Sequence, residues 1–248
     1  MTYCLAIAVN SGLVFVSDSR TSAGVDQVST YSKMQTFGND GQRQFVLLSS
    51  GNLATTQSVV AQLRRDMNAG APLSLNTVTQ MVEAADYIGG VSRQVQDRTG
   101  GGMTYEASFL LGGQIGLECP SVFLIYPAGN HITVGSDTRY LQIGEFKYGK
   151  PILDRIITPE TSVETAALCG LVSMDSTQRS NLTVGPPFEL LVYRRNALVL
   201  NERYKLDDGN PQLRELKNLW DQSLRHAFAA LPPLSWITDG AVNSSMPS

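Results

Sequence analysis

The sequence predicts an α+β fold in which two stacked antiparallel sheets are each covered by a helical layer. Three observations carry this expectation. β-rich runs come in pairs joined by short polar or glycine-containing turns, as hairpins do. Runs with apolar residues at helical spacing also come in pairs, inserted between the sets of strands. The resulting order is strands, two helices, strands, two helices, strands and a last helix, which suits stacked sheets under helical covers. The 248 residues suffice for one large core. No Gly/Ser/Pro linker or internal repeat divides them, so residues 1–248 read as a single domain, with 211–248 a C-terminal helix and tail extension.

Taken in order, residues 3–9 and 13–17 are strands around Asn10-Ser11-Gly12. Residues 33–37 and 44–50 repeat the arrangement around Gly38-Asn39-Asp40-Gly41. The period then changes. Over 53–67, Val59, Val60 and Leu63 form a stripe with Arg64, Arg65 and Asp66 toward water, and over 75–95, Val78, Met81, Val82, Ala85 and Ile88 do the same. The run Gly100-Gly101-Gly102 precedes strands at 107–111, 122–126 and 131–134. Helical patterns follow at 148–156 and 162–174, the second opened by the N-cap region Thr161-Ser162-Val163-Glu164-Thr165. A hairpin of 188–193 and 197–204 turns at Arg195-Asn196. The final helix, 211–231, carries Leu213, Leu216, Trp220, Leu224 and Phe228 on one face and stops at Pro232-Pro233.

Composition excludes several classes. Hydrophobic residues make up 42% and charged residues 17%, with a net charge of −3 and no basic run interleaved with aromatics; nucleic acid is therefore not an expected partner. No stretch of 18 apolar residues appears, and the apolar start lacks a basic n-region, so neither a membrane span nor a signal peptide is expected. Cys4, Cys119 and Cys169 fit neither a disulfide framework nor a zinc site, which suggests a reducing, cytoplasmic setting. No metal or other cofactor is called for. The two histidines, His131 and His226, lie far apart without a Gly-x-Ser-x-Gly elbow. Asp207-Asp208-Gly209-Asn210 lacks calcium-loop spacing and reads as the N-cap of the last helix.

The chemistry gathers at the second residue. Removal of Met1, expected when the next side chain is small, leaves Thr2 with a free α-amine beside its own hydroxyl. Such amines titrate near about 7.7–8.0, so one residue can supply nucleophile and base. A threonine here is common, and the reading depends on its surroundings. Asp18 ends the second strand, and across a tight antiparallel pair that end returns to the start of the first strand. Lys33 is the only lysine in the first 146 residues, hence the one nearby ammonium able to favour the alkoxide. Ser49-Ser50-Gly51-Asn52 stands where a strand gives way to a helix. A glycine there lets backbone approach a substrate, and helix N-terminal amides favour negative charge, so the Gly51 N–H is a candidate oxyanion donor.

In this order Thr2, Val16-Ser17-Asp18-Ser19-Arg20, Lys33 and Ser50-Gly51 resemble the N-terminal nucleophile hydrolases of the proteasome β-subunit family. Met174-Asp175-Ser176-Thr177 is similar to the segment carrying that family's second active-site aspartate, and Ile143-Gly144 to its loop before the second helix pair. Within the family, Ser17-Asp18-Ser19-Arg20-Thr21 and residues 143–155 most resemble the bacterial Anbu group. The resemblance covers about residues 2–205.

It implies a four-layer αββα sandwich and hydrolysis of peptide or other amide bonds. Thr2 attacks the carbonyl, Lys33 tunes its hydroxyl, Asp18 pairs with the lysine, Gly51 stabilises the oxyanion and Asp175 sits near the threonine amine. By position, Thr21, Ser49 and Leu53 line a specificity pocket suited to modest apolar groups. Self-assembly into a ring or ring-like homo-oligomer is implied as well; an unfoldase partner is not specified. Two departures stand out. Lys33 lies one residue closer to the threonine than the family lysine, and Glu145 replaces the serine that follows Ile-Gly. A carboxylate there could bind an ion, accept the amine's proton, or pair with Lys147 or Lys150. The same fold also accommodates a non-peptidase amidohydrolase or acyltransferase, or a scaffold with a weakened site. The apolar face of the last helix packs on its own sheet or meets a neighbouring subunit.

Overall fold

A computed structural model describes residues 1–22, 28–100 and 102–234. Gly101 of the glycine run and the tail with Trp236 and Ile237 lie outside the described residues. Strand β1 (Tyr3–Val9) and β2 (Gly12–Asp18) form the expected hairpin, with Leu5 opposite Val16 and Ile7 opposite Val14. Every residue of both strands is buried, so the pair reads as continuous apolar runs. The period-two alternation sends Tyr3, Leu5 and Ile7 into one core and Cys4, Ala6 and Ala8 into another.

The remaining strands complete two five-stranded antiparallel sheets and a small ribbon of β3 (Arg20–Ser22) and β4 (Val28–Thr30). Around the first hairpin, β10 (Tyr140–Gly144), β11 (Phe188–Arg194) and β12 (Glu202–Leu206) give the order β10-β1-β2-β11-β12. The second sheet runs β5 (Met34–Asn39), β6 (Arg43–Gly51), β7 (Ala107–Ile115), β8 (Ser121–Ile125) and β9 (His131–Thr133) in chain order.

Three cores follow from which faces these sheets bury. Val14, Val16 and Phe188 pack under Leu153 of α3 (Lys150–Ile156) and Val163, Ala166 and Met174 of α4 (Val163–Ser180). Phe15 and Leu191 of the first sheet meet Val46, Leu48 and Leu110 of the second. The far face of the second sheet, with Phe45, Leu47 and Phe109, is covered by Val59 and Leu63 of α1 (Leu53–Asn68) and Met81, Ala85 and Ile88 of α2 (Met81–Arg98). Each buried side chain of this size stabilises by about 1.5–3 kcal/mol, so these cores hold the β1–β2 hairpin from both sides. The architecture is α+β. No described helix is long and apolar enough to cross a membrane.

Several expected boundaries move, each for a local reason. Helix α2 begins at Met81, not 75, because Ser74 and Thr77 close a separate turn and Glu83 accepts the Thr79 and Gln80 amides at 2.7 and 3.3 Å. Leu75 and Val78 are buried without being helical, while Val82, expected on the buried stripe, is 38% exposed. Helix α4 has its N-cap at Ser162 as expected but continues to Ser180. The strand expected at 197–204 forms at Glu202–Leu206, since Asn196 and Leu198 take left-handed φ of 64° and 50° and carry the chain away from the ladder. Ile143-Gly144, read as a loop, ends β10, paired along β1. The last helix, α5 (Pro211–Ala229), is capped by Asn210 as expected, yet Leu213 is its only buried residue. Leu213 packs into the first core and Leu216 and Trp220 are half-buried, but Leu224 and Phe228 are exposed, so the far end of its apolar face is left uncovered.

Candidate active site

The hairpin register decides where the polar residues meet. Cys4 lies opposite Ser17, which brings Asp18 back to Tyr3, whose amide donates to Asp18 Oδ1 at 3.0 Å. Thr2 is thereby held at the mouth of the sheet, one residue from a buried carboxylate. Lys33, immediately before β5, donates through Nζ to Asp18 Oδ1 at 2.6 Å and to the Arg20 carbonyl at 2.8 Å. The Ser49 amide donates to the Lys33 carbonyl at 3.1 Å, tying the lysine to the β6 end. Asp18 is fully buried and Lys33 only 6% exposed. Burial pushes the Asp18 carboxyl above its ordinary value, against the pull of Lys33 and of the Tyr3 and Gly185 amides. The lysine, one residue closer than in the resembled family, still reaches the aspartate.

Thr2 opens onto a cavity of about 410 Å³. Lys33, Gly51 and Glu145 line it, as do Thr21, Ser49 and Leu53, the residues expected around a specificity pocket. Met1 is 65% exposed and enters the same space. Two glycines make the close approach possible. At Gly51, with φ of +112°, a Cβ would stand 2.3 Å from the Glu106 carbonyl oxygen; at Gly144, with φ of +83°, it would stand 1.8 Å from that of Thr2. Gly51→Ala is expected to cost about 1–3 kcal/mol of backbone strain and to displace the wall facing Thr2. Urea unfolding together with the rate of hydrolysis or probe labelling checks both effects.

Two carboxylates remain to be placed. Glu145 follows the Gly144 turn, and its amide donates to the Thr2 carbonyl at 2.8 Å. Lys150, a partner considered for it, is engaged with Asp154 at 2.7 Å and with the Tyr140 hydroxyl at 2.9 Å. Asp175 is buried on α4 and does not line the cavity. Arg179 Nε donates to it at 3.1 Å, and Lys217 of α5 lies 3.8 Å away. The segment after α4 approaches the site instead: the Gly185 amide reaches Asp18 Oδ2 at 3.4 Å, and Arg20 donates to the Leu182 carbonyl at 2.6 Å.

Neither the protein-family models nor the curated proteins yield a match to this chain. Solved structures do. Anbu (ancestral beta-subunit) from Yersinia bercovieri is 43% identical, with a TM-score of 0.91 over 94% of this chain and 99% of that one. The helical assembly of the Anbu complex from Pseudomonas aeruginosa is 42% identical, with a TM-score of 0.90 over 95% and 100%. The chain belongs to the Anbu family. Anbu proteins are proteasome-like N-terminal nucleophile hydrolases, so the resemblance read from the residues holds over nearly the whole chain. A further Anbu structure, a Gly-1 mutant from Hyphomicrobium sp. strain MC1, is 40% identical with a TM-score of 0.90 over 95% and 100%.

In this Anbu chain several residues that shape the site had no role assigned to them from the sequence. Arg20 and Tyr31 line it. Arg20 could have been found, since it lies two positions after Asp18 near the strand end. Tyr31 and Gly185 carry no such signal, because their approach depends on the β3–β4 ribbon and on how the chain leaves α4. Cys4, two residues from Thr2, packs between the sheets; its thiol donates to the Ser49 carbonyl at 3.7 Å, and burial raises its pKa.

Proposed function

We propose that this protein is a threonine-type hydrolase of peptide or other amide bonds, with Thr2 as nucleophile once Met1 is removed. The observation that carries the reading is Thr2 on a cavity shared with Lys33 and Gly51, the lysine fixed by a buried Asp18. In this reading the α-amine takes the hydroxyl proton and Oγ attacks the carbonyl carbon. The Lys33 ammonium favours the alkoxide, Asp18 holds the lysine in place, and the Gly51 N–H receives the oxyanion. Thr21, Ser49 and Leu53 contact the substrate side chain before the scissile bond. Asp175 acts from α4 by anchoring Arg179 and Lys217 rather than from the cavity wall.

The three cores stack, in the same reading, as the αββα sandwich of the N-terminal nucleophile hydrolases, one domain with residues 211–248 as an appendage. Three free cysteines suit a reducing cytoplasm. Self-association is part of the proposal. A relative from Pseudomonas aeruginosa forms a helical assembly, and the exposed Leu224 and Phe228 of α5 offer an apolar face. Multi-angle light scattering is expected to report an oligomer, and Phe228→Glu with Leu224→Glu a smaller species; a monomer in the unsubstituted protein contradicts this part. Cleavage is tested by profiling a peptide library beside a panel of small amides, with Thr2→Ala as the control.

A further inference from the structure

Which group receives the positive charge that forms on the Thr2 amine is a question the cavity itself answers. The charged and titratable groups around this point are Glu145 from the end of β10, Lys33, Arg20 and Tyr31 on the wall, and Asp18 behind Lys33, while the Cys4 thiol is turned into the core between the sheets. The cations repel an ammonium. Asp18 already accepts from Lys33, the Tyr3 amide and the Gly185 amide. Asp175 faces Arg179 and Lys217, away from the cavity wall. Glu145 is thus the one carboxylate lining the cavity among the described residues, and it forms no ion pair among them.

Its backbone is well fixed. The Glu145 amide is bonded to the Thr2 carbonyl at 2.8 Å. Gln142 donates to the Tyr3 hydroxyl at 2.5 Å and to the Phe146 carbonyl at 3.5 Å, bracing the turn from both sides. The Tyr3 hydroxyl is in turn 2.7 Å from Ser173 Oγ on α4. Met1 enters the same cavity, so its removal leaves the Thr2 amine in the space that Glu145 also lines.

We propose that Glu145 is the carboxylate partner of the Thr2 α-amine, facing the ammonium formed during acylation. The inference rests on the threonine reading above. In the step concerned the Oγ–H proton moves to the amine as the Oγ–C bond forms. The ammonium then returns that proton to the leaving nitrogen as the C–N bond breaks, leaving the acyl ester. A carboxylate beside the amine stabilises the charged intermediate and makes the resting amine a stronger base.

The test is the pH dependence of adduct formation with a β-lactone probe on protein lacking Met1, followed by intact mass. Reaction requires the neutral amine. Loss of the carboxylate charge in Glu145→Gln lowers the amine's proton affinity, so the acid limb is expected to move to lower pH by about one unit. The plateau rate should fall on the order of tenfold. Glu145→Asp should restore part of the limb, and Asp137→Asn, outside the cavity, should leave it unmoved. Superimposable profiles for Glu145→Gln and the unsubstituted protein overturn the proposal while leaving Thr2 as nucleophile. Absence of any adduct on the unsubstituted protein removes the nucleophile, and this proposal with it.

Discussion

Replacing Thr2 with alanine is expected to lower kcat by at least about 10³-fold, leaving only what binding and oxyanion stabilisation supply. The size follows from the arrangement: one residue provides both attacking oxygen and base, so its side chain has no substitute on the cavity wall. Thr2 is partly exposed and makes no side-chain bond to the core among the described residues, so melting temperature and oligomer size should stay within error. Thr2→Ser keeps a hydroxyl beside the amine and should retain measurable hydrolysis. Equal activity in Thr2→Ala and the unsubstituted protein would move the chemistry elsewhere, whereas no activity in either would leave a non-catalytic assembly as the remaining reading.

The buried Lys33–Asp18 pair carries the second large effect. Its 2.6 Å contact is shielded from water on both sides. Removing one partner strands the other charge in a low-dielectric site, a loss of about 3–5 kcal/mol. Asp18→Asn and Lys33→Met should each show it as a fall in the urea midpoint. The combined substitution leaves no stranded charge and should recover most of that stability. Activity should behave differently, staying lost in the double variant because the ammonium that favours the alkoxide is gone. Recovery of activity along with stability would make the pair a structural fixture only.

The same contrast explains what could be read from the residues. The β1–β2 hairpin was legible because Asn10-Ser11-Gly12 fixes its turn and antiparallel pairing then returns Asp18 to Tyr3. Lys33 was legible through scarcity. Glu145 was legible as a departure, but that Lys150 is taken up by Asp154 rather than by Glu145 could only be seen in the structure. Asp175 illustrates the opposite limit. Its neighbourhood depends on Lys217, 42 residues further along, on a helix that docks against α4. The edge strand β10 escaped notice because it is short and only partly buried, and the shift of β12 depends on Leu198 adopting a left-handed φ that side chains rarely take. Local pattern reveals hairpins and cap residues; it does not encode which distant element comes to rest against them.

The central claim is that Thr2 becomes the N-terminal nucleophile. Intact-mass analysis of the purified protein, before and after exposure to an epoxyketone, tests it most directly, because that warhead reacts with both the hydroxyl and the free amine of one residue. The account predicts a chain lacking Met1 that gains one probe mass, with the adduct mapped to Thr2 and absent from Thr2→Ala. A catalytically active protein that retains Met1 and gains no mass would contradict it.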